Sequence, residues 1–151
     1  MAQATRQRQR QRTRSLGILA TVLVAVLALG ACNSAAADQD FSMVNSLRAN
    51  NGVAQLSRSG ELNTKAQAQA DRMASRGKIY HSTNLASGVS PGWLSIGENV
   101  AVAGSIEQAQ SALEGSPGHL ENMLNGGFTE VGIGVTSSNG RVYVVQVFVG
   151  R

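Results

Sequence analysis

Val131–Val149, which reads VGIGVTSSNGRVYVVQVFV, is the stretch of this 151-residue chain that decides the fold. In its first half apolar residues alternate with glycine, and Asn139-Gly140 is a strong signal for a two-residue hairpin turn. Its second half is rich in valine and leaves neither face polar, which is typical of a strand covered on both sides. The sequence therefore predicts a β-hairpin with helices packed on both faces.

Small residues predict close packing at two places. Gly132 and Gly134 leave one face of the first hairpin strand bare, so another element must approach its backbone closely. The longest predicted helix, Ser59–Arg76, begins at a favoured N-cap residue and is followed by Gly77. Its apolar stripe is mostly alanine, which again indicates a close neighbour, and consists of Leu62, Ala66, Ala70, Met73 and Ala74.

The remaining segments complete an α+β protein. Lys78–Gly97 has no sustained period and is expected to be a long loop, of the kind that often carries function. Helices early and in the middle of the chain, with a doubly covered hairpin, predict an α-β-α sandwich around a small antiparallel sheet. A strand is expected at Glu98–Val102. Three further helices are expected: Phe41–Asn50 with Asp38 or Asp40 as its cap, Ser105–Leu113, and a short helix that begins at Ser116-Pro117.

The first 31 residues have the form of a signal peptide. A run rich in arginine and glutamine precedes Leu16–Ala31, an uncharged and largely apolar stretch shorter than the roughly 20 residues that span a bilayer. It ends in Leu29-Gly30-Ala31-Cys32, which resembles a bacterial lipobox. We therefore expect lipidation at Cys32, a tether over residues 32–39 and a domain over residues 40–151. Cleaved secretion without lipid and an uncleaved anchor are the alternatives.

The charge balance argues against a nucleic-acid partner. The formal net charge is +4, but five of the 13 basic residues lie in the first fourteen positions and none of the nine acidic residues does. The rest of the chain is therefore slightly acidic, and it shows no basic patch with interleaved aromatic residues. Because Cys32 is the single cysteine, no intramolecular disulfide can form.

Polar side chains that could carry chemistry concentrate in His81–Asn122. This segment holds both histidines, His81 and His119, with Glu98 between them. The start of a helix disfavours a charged imidazole at His119 and leaves it in the neutral form that ligates metals. Two histidines and a carboxylate would suit zinc, which in catalytic sites takes three protein ligands and water. The alternative is that His81 merely fixes a loop and His119 lies in an exposed helical turn.

Several short motifs, in order from about Asn45 to Phe148, resemble those of the CAP superfamily of cysteine-rich secretory, antigen 5 and pathogenesis-related proteins. The most specific is Gly97-Glu98-Asn99-Val100-Ala101. The others are Asn45-x-x-Arg48-x-x-x-Gly52, Tyr80-His81-Ser82, Ser116-Pro117-Gly118-His119, Phe128-x-x-Val131-Gly132-Ile133-Gly134 and Tyr143-Val144-Val145-Gln146-Val147-Phe148.

This resemblance implies an α-β-α sandwich with a central cleft. It implies that His81, Glu98 and His119 belong to the usual cleft set of two histidines and two glutamates, with Glu107 or Glu114 as the candidate fourth member. Further candidates for the cleft are Ser82, Asn99 and Asn122. The chain departs from bacterial relatives at Leu113, where tryptophan is common, and at Leu120, where arginine is frequent.

Three functions are compatible with this sequence. The first is a membrane-anchored extracytoplasmic binding domain, at the cell surface or on the periplasmic face, that holds a divalent metal such as zinc and a small apolar or envelope ligand. The second is a metal-assisted hydrolase with Glu98 as the candidate catalytic base. The chain has no His-Glu-x-x-His motif, and its Gly-x-Ser-x-Gly match, Gly88-Val89-Ser90-Pro91-Gly92, lies inside the predicted loop instead of at a strand-to-helix turn, which disfavours an enzyme. The third is a structural module that contacts other proteins.

Overall fold

Residues 33–151 are the part of the chain that the structure, a computed structural model, describes. The predicted signal peptide and Cys32 lie outside the described residues. No helix among the described residues has the length and apolarity that crossing a membrane requires. In chain order the elements are α1 (residues 33–50), β1 (Ser57–Arg58), α2 (Gly60–Arg76), β2 (Ser95–Ala103), α3 (Ile106–Glu114), α4 (Pro117–Leu124), β3 (Glu130–Ser138) and β4 (Arg141–Gly150).

The predicted hairpin forms the centre of the sheet. β3 and β4 pair antiparallel, and the turn residues Asn139 and Gly140 have positive φ angles of 51° and 71°. The strand order is β1-β3-β4-β2, with β2 antiparallel to β4. The sheet is mixed rather than wholly antiparallel, because β1 pairs parallel with β3 through Ser57 and Arg58. Two residues are too few to produce a strand pattern, so sequence analysis missed β1.

The bare face of β3 lies directly against α2, which confirms the expected close approach. A Cβ atom at Gly132 would lie 2.0 Å from the carbonyl carbon of Leu62, and one at Gly134 would lie 2.2 Å from that of Ala66. Such distances are impossible for real atoms, so both positions require glycine. The alanine stripe of α2 and the two glycines are therefore two sides of one contact.

The helices cover both faces of the sheet, as predicted. Val145, Val147 and Val149 of β4 pack with α2. Val144 and Phe148, which alternate with them, pack with α1, α3 and α4. Successive side chains of a strand point to opposite faces, so the valine-rich strand supplies apolar residues to both cores.

The start of α1 corrects the expected tether. Residues 33–39 are helical, and Ala37 is 6% exposed and belongs to the core. Asp40, expected as a possible helix cap, lies inside α1 and is completely buried. The segment looked like a linker because it lacks large apolar residues, although alanine is the strongest helix former. The described domain consequently includes Asn33–Arg151.

Candidate functional site

Glu98 is the centre of the site. It lies on the edge strand β2, opposite Val147 of β4, and its side chain is 3% exposed. Oε1 accepts hydrogen bonds from the Ser82 backbone N–H at 2.8 Å and lies 2.9 Å from Nδ1 of His81. Oε2 accepts a hydrogen bond from the Ser82 hydroxyl. Both carboxylate oxygens are therefore occupied by the loop that follows α2.

His81 lies at the surface, with its side chain 59% exposed. The loop is attached to α2 through Gln69, whose Nε2 donates to the carbonyl oxygen of Tyr80 at 2.7 Å. Because Nδ1 faces a carboxylate, we assign the proton of the neutral ring to Nδ1. This tautomer leaves the lone pair of Nε2 available for a ligand.

His119 is in the first turn of α4 and is fixed through its backbone. Its carbonyl oxygen accepts a hydrogen bond from Nδ2 of Asn99 at 3.0 Å, and Oδ1 of Asn99 accepts one from Asn122 at 2.9 Å. The ring atom Nδ1 is buried and has no hydrogen-bond partner within residues 33–151. Burial, and then the positive charge of protonated His81, lower the pKa of His119 below 6.5. The imidazole is therefore neutral at pH 7.

Neighbouring residues of β2 hold the two histidine segments. Glu98 holds the His81 loop, and the next residue, Asn99, holds the start of α4. Their side chains leave the strand on opposite faces of the sheet, because successive residues of a strand alternate. The two histidines are nevertheless near enough to each other for the charge of His81 to lower the pKa of His119. An edge strand can join both segments in this way because one of its sides has no strand partner.

The two candidates for a fourth cleft residue make other contacts. Glu107 accepts a hydrogen bond from the side chain of Gln39, and Glu114 accepts one from Gln110. Glu114 lines a cavity of about 360 Å³ together with residues of α1. Within residues 33–151 no group of three or more histidine, cysteine, aspartate or glutamate residues is arranged to hold a metal.

Two polar regions next to these residues were not predicted from the sequence. One is a cavity beside Ser82, lined by Lys65, Arg72 and Arg76 of α2. Their spacing of seven and four residues along one helix was the available signal. The other is a buried hydrogen-bonded cluster of α1, α3 and β4, whose signal was a single glutamine in an apolar strand.

The buried cluster is centred on Gln146. Its Nε2 donates to Oδ2 of Asp40 at 2.9 Å and to Gln110 at 3.1 Å, and its Oε1 accepts from Asn99 at 3.1 Å. Burial raises the pKa of Asp40 to about 6, and the hydrogen bond from Gln146 opposes that shift. Through Asn99 this cluster also contacts the backbone of His119.

Known structures share this fold at low sequence identity. An extracellular protein containing an SCP domain from Bacillus anthracis is 22% identical with a TM-score of 0.72, over 82% of this chain and 43% of that protein. This chain therefore corresponds to less than half of the Bacillus protein. An outer surface protein from Borrelia burgdorferi is 19% identical with a TM-score of 0.63, over 74% of this chain and 89% of its own length.

A further structure is that of NaASP2 with Zn²⁺, which is 18% identical with a TM-score of 0.57, over 77% of this chain and 80% of its own length. No curated protein matches the chain significantly. At these identities the solved structures support the fold alone. The family model of CAP, the cysteine-rich secretory protein family, matches residues 41–148. This match covers the two histidine segments, β2 and the hairpin, and the chain belongs to the CAP family.

Proposed function

We propose that this CAP domain is a binding protein whose His81 and His119 hold a divalent cation of the zinc type. The observation that carries the proposal is the 2.9 Å contact between Nδ1 of His81 and Oε1 of Glu98. A carboxylate behind an imidazole fixes the ring and raises the basicity of the opposite nitrogen, as in many histidine-ligated metal sites.

The protonation state of His119 supports the same proposal. An imidazole must be neutral to ligate a metal, and the pKa of His119 is lowered by burial and by the neighbouring His81. Its Nδ1 is buried without a hydrogen-bond partner among the described residues, so the ring is not committed to another contact at that atom. His119 can therefore present a neutral nitrogen near pH 7, and the contact of Nδ1 with Glu98 leaves Nε2 of His81 available.

Glu98 supports the cation instead of ligating it. The sequence suggested Glu98 as a third ligand, but His81 and Ser82 occupy both of its oxygens. Two protein ligands would leave the remaining positions of the ion to water or to a bound molecule, and binding would be weaker than at a site with three ligands. When bound, the ion would supply positive charge to a molecule in the cleft.

The same geometry favours binding over hydrolysis. A general base must reach the water whose proton it removes. The Glu98 side chain is 3% exposed and is surrounded by three donors from the loop. We therefore assign it a positioning role.

Zinc titration tests this function. Calorimetry on the purified full chain in neutral detergent should show one zinc per chain, with binding lost in His81→Ala and in His119→Ala while circular dichroism stays unchanged. Glu98→Gln should weaken binding by about 10–100-fold. Because the pKa of His119 is lowered, binding should persist below pH 6.5 and weaken once the His119 imidazole is protonated.

Three results would lead elsewhere. Absence of zinc binding by the folded parent would reject the cation. Hydrolysis of an ester substrate that Glu98→Gln abolishes, with zinc binding retained, would instead establish the metal-assisted hydrolase. If all three variants unfold, the histidines and Glu98 serve the structure, as expected for a protein-interaction module.

The location that we propose is outside the cytoplasmic membrane, on a lipid at Cys32. The lipobox-like sequence and the secretory family support it. Mass spectrometry of the membrane fraction should find Cys32 diacylated at the mature amino terminus, and Cys32→Ser should move the protein to the soluble fraction. Membrane retention of Cys32→Ser with an intact leader would indicate the uncleaved anchor. A small apolar or envelope ligand remains the prediction for the partner.

A further inference from the structure

A cavity of about 750 Å³ lies between α2 and the loop that follows it. We call it the α2 cavity. Lys65, Arg72 and Arg76 line it from the helix, and Ser82 and Asn84 line it from the loop. The volume is within the range of about 300–1,000 Å³ that is usual for small-molecule sites.

The charges in this cavity are unbalanced. Three cationic side chains line it, and Glu61 is the only carboxylate among the lining residues. Glu61 offsets one of the three positive charges but forms no ion pair with them within residues 33–151, because its two oxygens accept hydrogen bonds from the backbone N–H and the hydroxyl of Ser90. These hydrogen bonds lower the pKa of Glu61.

Lys65 is held by neutral acceptors. Its Nζ donates to the carbonyl oxygens of Asn84 at 3.3 Å and Ser87 at 2.7 Å, which fixes the loop over the helix. Burial, and in smaller part the positive charge of Arg72, lower the pKa of Lys65, while Glu98 opposes the shift. A bound anion would relieve this repulsion.

The two arginines are also positioned by neutral groups. Arg72 donates twice to Oε1 of Gln69, at 3.0 and 2.8 Å. Arg76 donates to the hydroxyl of Tyr80 at 2.6 Å and lies 5.2 Å from the centre of its ring. Neither arginine, nor Lys65, forms an ion pair within residues 33–151. Each guanidinium uses only part of its five donors in these contacts.

We propose that the α2 cavity binds a small molecule that carries two or more anionic groups of the phosphate or carboxylate class. Lys65 and Arg76 are separated along the helix axis by roughly 16 Å, at 1.5 Å per residue, which is more than one phosphate can bridge. Arginine binds both phosphate and carboxylate through paired N–H groups. Neither histidine lines the cavity, although Ser82 does, and the proposed binding does not require a cation at the histidines.

Calorimetric titration with tripolyphosphate tests the proposal. The full chain in neutral detergent and metal-depleted buffer should bind it saturably. Lys65→Gln and Arg72→Gln should each weaken binding at least about 10-fold, as expected for the loss of one charged hydrogen bond. Arg141→Gln is the matched control, since Arg141 is exposed at the hairpin and lies outside the cavity. This variant should bind tripolyphosphate with the affinity of the parent.

Two further variants separate the site from its surroundings. His81→Ala should bind tripolyphosphate like the parent, whereas loss of binding would place the anion at the histidines. Arg72→Lys keeps the charge and should retain more affinity than Arg72→Gln, and equal losses would mean that Arg72 only holds the loop. A parallel titration with citrate shows whether phosphate or carboxylate is preferred.

The proposal is overturned by any of three results in folded protein. The first is that neither tripolyphosphate nor citrate binds saturably. The second is that Lys65→Gln binds tripolyphosphate as tightly as the parent does. The third is that Arg141→Gln loses as much affinity for tripolyphosphate as Lys65→Gln and Arg72→Gln do.

Discussion

Glu98 and Asp40 are two buried carboxyl groups with opposite surroundings. The Glu98 side chain is 3% exposed and receives hydrogen bonds from His81 and Ser82 at both oxygens. Asp40 is 0% exposed, receives one hydrogen bond from Gln146, and has an Oδ1 atom without a partner within residues 33–151. The role of a buried carboxyl group in this fold therefore depends on the hydrogen-bond donors around it and not on burial alone.

This difference separates two roles. The donors of Glu98 come from an exposed loop, and the carboxylate in turn orients a histidine that can face a ligand. The surroundings of Asp40 favour the protonated carboxyl group, whose pKa rises to about 6. Asp40 connects α1 to β4 through Gln146, which also contacts Asn99. Glu98 thus belongs to the site, and Asp40 belongs to the core that supports it.

Gln146→Leu should break the buried cluster and have the largest effect. The substitution removes the one donor to Asp40 and an acceptor of Asn99, both of which are completely buried. At pH 7.5 we expect the free energy of unfolding to fall by about 3–5 kcal/mol, because a buried charge loses its partner. Urea unfolding measures this.

The loss should be smaller at pH 5, where folded Asp40 is mainly protonated. Gln108→Leu is the control, since Gln108 is exposed on α3 and its side chain accepts one hydrogen bond, from the Gly104 N–H. Similar losses in the two variants would show that the cluster around Gln146 carries no special stability.

Asp40→Asn should stabilise the protein at neutral pH. The folded-state pKa of about 6 lies above the ordinary 3.8, so the folded protein binds an extra proton between these values. The stability contributed by this group is therefore present at low pH and is lost as pH rises from about 4 to about 6. Two pKa units correspond to about 3 kcal/mol.

An amide cannot ionise, but its NH2 group would replace Oδ1, which has no hydrogen-bond partner within residues 33–151. Because these buried donors lack an acceptor, the net gain at pH 7.5 should be about 1–2 kcal/mol. Urea unfolding of parent and variant across pH 4–8 measures the difference in their free energies of unfolding. The pH dependence that other titratable groups contribute is the same in both proteins and cancels in this difference. A difference that does not change with pH would contradict the raised pKa of Asp40.

The elements that sequence analysis predicted are those with local signals. The hairpin turn at Asn139-Gly140, the cap at Ser59 and the left-handed Gly77 are all decided by residues within a few positions of each other. Gly132 and Gly134 predicted a close approach because their missing side chains have one physical meaning. The approaching partner was not identified, because the contact with α2 is remote in sequence.

The buried polar cluster had no local signal that identified its partners. Gln146 stands out in an apolar strand, but Asp40 is 106 positions away and looks like a surface residue when only its neighbours are considered. Local sequence therefore suggested Asp40, like Asp38, only as a possible helix cap. Arg48 was recognised only as part of a motif, yet it is completely buried and donates to the backbone of Ala54, Met123, Asn125 and Phe128.

The sequence predicted that some of the candidate residues lie near one another, but it did not predict the contacts they make. The motif resemblance placed His81, Ser82 and Glu98 in one cleft, and the structure shows direct hydrogen bonds among them. It could not show that Ser82 and His81 occupy both carboxylate oxygens, because this depends on how the loop folds back on β2. Glu107 and Glu114 were equivalent in sequence, and each faces a different glutamine in the fold.

Glu98→Gln should destabilise the protein, although the corresponding replacement of a carboxylate by an amide at position 40 should stabilise it. The amide keeps one acceptor for His81 and the Ser82 N–H, while the Ser82 hydroxyl must turn to accept. We expect a loss of about 1 kcal/mol in the free energy of unfolding at pH 7.5. A gain of stability like that of Asp40→Asn would show that the three donors do not distinguish the two carboxyl groups.

Ser82→Ala tests the same distinction with the smallest expected effect. It removes the hydroxyl that donates to Oε2 of Glu98 and leaves the Ser82 N–H and His81 in contact with Oε1. Because one of three donors is lost, in a partly exposed loop that water can reach, the cost should be about 0.5–1 kcal/mol. Urea unfolding measures it, with Ser87→Ala in the same loop as the control. A loss as large as that of Gln146→Leu would mean that Glu98, like Asp40, depends on a single donor, and the contrast between the two carboxyl groups would then lie in exposure alone.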